Sequence, residues 1–478
     1  MTDSPSLVER AFTLEFSERS YSIGSVEGSV PDFVRGTYYS NGPSRHRIGE
    51  LRYRHLLDGD GMLRAVRFED DGIHFSNRFV RSSKFDEEQK AGAPLFRSFG
   101  TRFDGDRLGR YGIGIESPVN VSVWKLGERL LAFGEQGLPW EVDPLTLETL
   151  GPFTFDGALN EVSPLSAHPK IDATSGEMFN FGMSFSSERP ALNLYRFSAS
   201  GTLVYRKRIR VPDPCSVHDF CMSPGYLMVY LTGFVLDMES LRDGGSTILE
   251  ALSWEPERGS SLVIASRETG ELVARVPLGS AYCLHTVNAF ERSGQLVFDL
   301  IELDEPVYND YEVIPDIFTR VRPGRPVRYA IDTESWTVSE RTALDSAHSC
   351  DFPSIDPRVA QRPNDHFWMC GISKTGEAGR KYFDELSHVD LSSERISDVY
   401  RLPPRCYFGS EPTFVPDPRD ASAGLILCKR FDAEREQDAY LLFDAHAVAA
   451  GPVATLPLEE ATPPCFHGSH YPRDASAP

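Results

Sequence analysis

Apolar residues in this chain come in short runs or in alternation, and hardly ever at helical spacing. Residues 130–133, 227–231, 262–265, 296–301 and 425–429 each have the length and composition of a strand. Turn signals punctuate the chain: Asn41-Gly42-Pro43, Asp58-Gly59-Asp60-Gly61, Asp70-Asp71-Gly72, Ser175-Gly176, Thr269-Gly270 and Ser293-Gly294. Only residues 240–252 carry a pattern that could hold a short helix, and Gly244-Gly245 interrupts it. The predicted class is all-β. No Pro/Gly/Ser-rich linker or charge block marks a boundary, so the strands point to a single closed, multi-bladed domain over 1–478, with 1–30 as an N-terminal strand or arm. No strict repeat fixes the number of blades, although about 68 residues per blade permits seven.

Composition narrows the partners. At 40% hydrophobic and 25% charged residues the chain can bury a large core. A net charge of −21 argues against nucleic acid, whose phosphates require a basic face, and no Lys/Arg cluster opposes that reading. Residues 1–16 include Asp3, Glu9, Arg10 and Glu15 and lack the apolar run of a signal peptide or anchor, so the expected location is cytoplasmic. The most apolar stretch, 226–236, is a strand's length and short of the roughly 20 residues a membrane helix needs. It leaves room for peripheral membrane contact during substrate uptake, not for a span. Eight cysteines without a CxxC pair read as buried, reduced thiols.

Four of the twelve histidines stand in distinctive surroundings. His168 lies in Ser166-Ala167-His168-Pro169-Lys170-Ile171-Asp172, His218 in Val217-His218-Asp219-Phe220, His285 in Leu284-His285-Thr286-Val287-Asn288, and His467 in Cys465-Phe466-His467-Gly468. Separations of 50, 67 and 182 residues are too long for a local finger-type site. They suit convergence on a propeller axis, where the innermost strand of each blade lines the channel. Four neutral imidazoles would suit iron, copper, nickel or zinc. Cys215, Cys283 and Cys465 precede three of these histidines and raise the alternative of a mixed thiolate site, and His470 competes with His467. The Asp58 to Gly61 motif reads as a turn and not a metal loop; His55 and His348 read as satisfied or solvated.

The same segments resemble the carotenoid cleavage oxygenase family, as do Arg35-Gly36-Thr37-Tyr38-Tyr39-Ser40-Asn41-Gly42-Pro43, Leu57-Asp58-Gly59-Asp60-Gly61-Met62, Glu135-Gln136-Gly137-Leu138-Pro139 and Glu411-Pro412-Thr413-Phe414-Val415-Pro416. The resemblance implies a seven-bladed β-propeller with one Fe(II) per chain on its axis, held by His168, His218, His285 and His467. It also implies three carboxylates behind the imidazoles, filled here by Glu135, Asp351 and Glu411. Asp351, in Ser349-Cys350-Asp351-Phe352-Pro353, stands where the family carries a glutamate; one methylene shorter, it calls for a backbone shift or a bridging water. The implied reaction uses only O₂ and a small apolar conjugated substrate, and gives two carbonyl products with no catalytic residue beyond the metal centre. Gly134 replaces a lysine that stilbene-cleaving members place before the first glutamate, which favours a carotenoid or apocarotenoid substrate. Stilbenoid or phenylpropenoid cleavage is the alternative, followed by retinoid-type isomerisation or ester cleavage and, in another class, a metal-free interaction platform. His467 stands so near the C-terminus that the last strand is expected both to close the ring and to deliver this histidine.

Overall fold

The computed structural model describes residues 7–109, 115–314, 317–318, 320–344, 349–373 and 382–473. Seven antiparallel sheets are arranged as the blades of a propeller. Blades 2 to 6 are four-stranded meanders that start at Ser122–Leu126, Lys170–Ile171, Cys221–Met222, Tyr282–Arg292 and Ser349–Ser354 and end at Thr149–Pro152, Leu203–Arg210, Leu272–Gly279, Thr337–Ala343 and Arg395–Arg401. The starting strands of blades 4 to 6 are largely buried, whereas the final strands face water on one side or both. Solvation of the last strand is what lets each meander stop, and charge along such an edge discourages pairing with another chain.

Closure uses both ends of the chain. Gly468–Tyr471 pairs antiparallel with Gly36–Ser44 in blade 1, with Gly468 opposite Ser40 and His470 opposite Tyr38. In blade 7, Glu27–Gly28 from the N-terminal arm pairs with Pro452–Pro457, whose neighbours come from the other end of the sequence. Separate apolar clusters fill the seams: Tyr39, Leu63 and Leu130 between blades 1 and 2, Phe179, Leu192 and Leu227 between blades 3 and 4, Tyr230, Ile264 and Phe298 between blades 4 and 5, and Phe75, Leu427 and Tyr440 between blades 7 and 1. The blades are thus held side to side by burial of apolar area, about 25 cal/mol per Å².

All five predicted strand runs lie within strands. The 240–252 segment forms two short helices, Met238–Arg242 and Ile248–Ala251, either side of Gly244-Gly245. A helix at Ser83–Ala91 departs from the expectation, for a physical reason. Its caps are plain, Ser82 accepting from Phe85 N and Gly92 adopting φ 62°, but its buried face carries charge. Lys84 Nζ lies 3.0 Å from Asp60 Oδ1 and 2.9 Å from Glu88 Oε2, so no apolar stripe betrays the helix. A second helix, Leu7–Thr13, also went unpredicted. The expected absence of a basic cluster is corrected too: Arg206, Lys207, Arg208 and Arg210 line the outer strand of blade 3, beside a groove of about 430 Å³ that also takes in Val211, Ser261 and Arg275. Among the described residues no helix is long and apolar enough to cross a membrane. All eight cysteines are buried, and none of them is disulfide-bonded.

Candidate metal centre

Three inner strands and the closing strand carry the four histidines inward. His168 sits two residues before Lys170–Ile171 of blade 3, His218 three before Cys221–Met222 of blade 4, His285 within Tyr282–Arg292 of blade 5, and His467 directly before Gly468–Tyr471. One potential ligand atom from each lies within 4.8 Å of the other three. Ring centroids are 4.3 to 6.3 Å apart, and His168 Nε2 stands 2.8 Å from His218 Nε2.

Carboxylates occupy the outer nitrogens. His285 Nδ1 is 2.7 Å from Asp351 Oδ1, and His467 Nδ1 is 2.8 Å from Glu411 Oε2, whose Oε1 accepts from Gly468 N at 2.7 Å. His218 Nδ1 lies 3.0 Å from Glu135 Oε2, close enough for an ion pair yet too far out of line for a hydrogen bond, and neither atom has another partner. The two hydrogen bonds place the ring proton of His285 and of His467 on Nδ1 and leave their Nε2 lone pairs facing inward. His285 Nε2 is buried without any hydrogen-bond partner. Burial, reinforced by the three neighbouring histidines, holds the His168 pKa well below its usual value and keeps that imidazole neutral. A buried orphan nitrogen and facing lone pairs fit a dication and little else.

Asp351 reaches its histidine directly, so no bridging water is needed. The register of Ser349–Ser354 is irregular between Asp351 and Ser354, and Phe352 adopts φ 54°. A bulge of this kind re-aims side chains, and it sits where Asp351 meets His285. The thiol alternative is not met: no cysteine joins the cluster among the described residues. Cys283 donates to His285 O at 3.4 Å and Cys465 to Gly409 O at 3.1 Å, and burial pushes the Cys215 thiol up to about 12. His470 stands outside the cluster, and burial lowers its pKa to about 4. His55 is satisfied by Tyr308 O at 2.7 Å and Leu57 N at 3.1 Å; His348 lies outside the described residues. Asp58 and Asp60 spend their oxygens on Gly100 N, Thr101 Oγ1, Lys84 and Arg45, so they form no metal loop.

The family described as retinal pigment epithelial membrane protein matches residues 12–472. An apocarotenoid-15,15'-oxygenase of Synechocystis sp. is 31% identical over 96% of this chain and 95% of its own. The chain belongs to the carotenoid cleavage oxygenase family. The chain is also similar to an isoeugenol monooxygenase of Pseudomonas putida, 26% identical with 98% of both chains covered. A crystal structure of the cobalt-substituted Synechocystis apocarotenoid oxygenase superposes with a TM-score of 0.89 at 30% identity over 98% of each chain.

Two features of this site were not read from the sequence. Aromatic rings crowd one side of the histidines: Phe352 lies 5.1 Å from His285 and 5.5 Å from His467, with Phe383 and Phe466 packed on it. Phe352 and Phe383 belong to blade 6, 31 residues apart, and Phe466 to the closing segment, so no local pattern marks them. The second is Asp219, buried beside His218. Burial opposes its ionisation, but the Lys170 ammonium at 2.7 Å and the Thr286 hydroxyl hold its pKa below the usual range. Its signal was present, since Lys170 and Asp219 lie inside the histidine motifs.

Proposed function

We propose that this protein is an iron(II) dioxygenase in which His168, His218, His285 and His467 hold one Fe(II), with Glu135, Asp351 and Glu411 behind them, in one domain spanning 1–478. The substrate is a carotenoid or apocarotenoid, and cleavage of one conjugated C=C bond with O₂ gives two carbonyl products. The observation that carries the reading is the orphaned His285 Nε2, buried while its Nδ1 is fixed by Asp351 at 2.7 Å.

Fe(II) would supply the activation of O₂ that an alkene alone cannot achieve. The chain's residues do the rest by placement. Glu411 and Asp351 keep protons on Nδ1, and together with Glu135 they add negative charge, so four neutral imidazoles would suffice around a dication with positions left open. Phe352, Phe383 and Phe466 offer an apolar wall suited to a conjugated chain and exclude water from the histidines. Phenylpropenoid cleavage is the second reading, supported by the isoeugenol monooxygenase relative. Gly134 weighs against a phenol-binding lysine: a Cβ there would fall 2.3 Å from Ser117 Oγ and 2.8 Å from Val119 Cα.

The test is anaerobic loading with Fe(II), followed by exposure of apocarotenals, carotenoids and phenolic stilbenes to O₂ with mass detection. Paired carbonyls from polyenes support the reading. Turnover of isoeugenol-like or stilbene substrates alone selects the second. Products without O₂-derived carbonyls would point to isomerisation or ester cleavage.

A further inference from the structure

Of the four carboxylates beside the histidines, Asp219 alone is claimed by a Lys or Arg cation among the described residues. Lys170 Nζ lies 2.7 Å from its Oδ1, while Oδ2 accepts from Thr286 N at 2.9 Å and Thr286 Oγ1 at 2.6 Å. Among the described residues the imidazole that comes within 4 Å of it is His168, whose Nδ1 lies 3.8 Å from Oδ1, beyond hydrogen-bond range. His168 is thus the one histidine of the cluster without a carboxylate in close contact among the described residues.

Placement in the chain gives these contacts their meaning. Lys170 is two residues after His168, Asp219 follows His218, and Thr286 follows His285. A single buried carboxylate therefore ties together the inner strands of blades 3, 4 and 5, each beside its histidine. Asp219 is 5% exposed, so its charge would be costly without the ammonium.

We propose that Lys170, Asp219 and Thr286 form a positioning clamp with two effects: it spaces His168, His218 and His285 before metal arrives, and it withholds a fourth carboxylate from His168. This rests on the metal reading above. Each carboxylate on an Nδ1–H makes its imidazole a stronger donor and stabilises the higher oxidation state. Three do so here. Removing the ammonium leaves Asp219 Oδ1 with the Phe220 N–H at 2.8 Å and lets it close the 3.8 Å gap to His168, which makes the site more electron-rich.

The experiment compares full-length wild type with Lys170→Met, Lys170→Arg and Asp219→Asn, each loaded with Fe(II). Metal affinity is read by chelator competition, and Fe(III) by electron paramagnetic resonance during a mediated redox titration. Lys170→Met should keep one tightly bound iron and show about tenfold more Fe(III) at a given potential, equal to ~59 mV for a one-electron couple. Lys170→Arg, which keeps the cation, should return the wild-type titration. Asp219→Asn should hold metal about tenfold more weakly, as loss of an outer partner does, without the shift in potential. Lys170→Met titrating like wild type overturns the withheld carboxylate, and Asp219→Asn binding as tightly as wild type overturns the spacing role. Wild type that binds no iron would instead sink the metal reading itself.

Discussion

Lys429, in the blade 7 strand Gly424–Asp432, has no exposed surface. Its Nζ lies 2.7 Å from Asp438 Oδ2 and donates to the carbonyls of Thr462 at 2.7 Å and Pro463 at 3.2 Å. Asp438, also fully buried, otherwise accepts from Thr462 N at 2.8 Å and Thr462 Oγ1 at 3.0 Å. Arg64 fastens the same segment from blade 1 through Thr462 Oγ1 and Pro463 O. Residues 462–467 therefore form a strap whose last member is His467. Lys429→Met keeps the length of the side chain, strands a buried carboxylate and leaves Thr462 O without its donor. Removing one partner of a buried pair costs about 3–5 kcal/mol, and protonation of Asp438 can return part of that. The expected loss is about 3 kcal/mol, read as a lower urea midpoint at unchanged m, with metal affinity falling in parallel. The Lys429→Met, Asp438→Asn double variant should recover much of it, because asparagine can still accept from Thr462 without a charge. A loss below about 1 kcal/mol, or a double variant no better than the single one, would refute the reasoning.

Glu411 accepts from His467 and Gly468 together, whereas Glu135 meets His218 out of line and keeps 36% of its side chain exposed. Glu411→Gln should therefore weaken metal retention about 10–100-fold in dialysis against a chelator, and Glu135→Gln clearly less; equal losses would contradict this ranking. Gly134→Ala should lower stability by about 1–3 kcal/mol through the clash with Ser117 and Val119, and Gly134→Lys should gain no turnover of phenolic stilbenes. Burial holds His55 at about 4 against an ordinary 6.5, so the folded state keeps it neutral while the unfolded chain protonates it. Its contribution, about 3 kcal/mol, is complete above pH 6.5 and is lost progressively as pH falls toward 4. Urea midpoints across that range should fall less steeply for His55→Gln than for wild type, and parallel curves would contradict the assignment.

Strand content was legible because each run needed only local alternation and a turn to declare itself. The number of blades was not, since the seams are filled by residues such as Phe179, Leu227 and Phe298 whose pairing depends on the ring and not on any repeat. His467 could be expected to close the ring from its place near the C-terminus, and the chain does return to Gly36–Ser44 there. Motifs brought all four histidines and all three carboxylates to attention, but not the geometry that lets Asp351 stand in for a glutamate. The bulge and the left-handed Phe352 beside it are backbone features that no composition announces. The Ser83–Ala91 helix hid for the opposite reason: its inner face is a charge network, so hydrophobic periodicity had nothing to report.

The most direct test of the central claim is the iron content of protein purified anaerobically with Fe(II), alongside His285→Ala, with products assayed under O₂. About one iron per chain and paired carbonyl products, both lost in the variant, are the predicted result. Wild type that retains no iron, or a variant that retains it fully, would contradict the account.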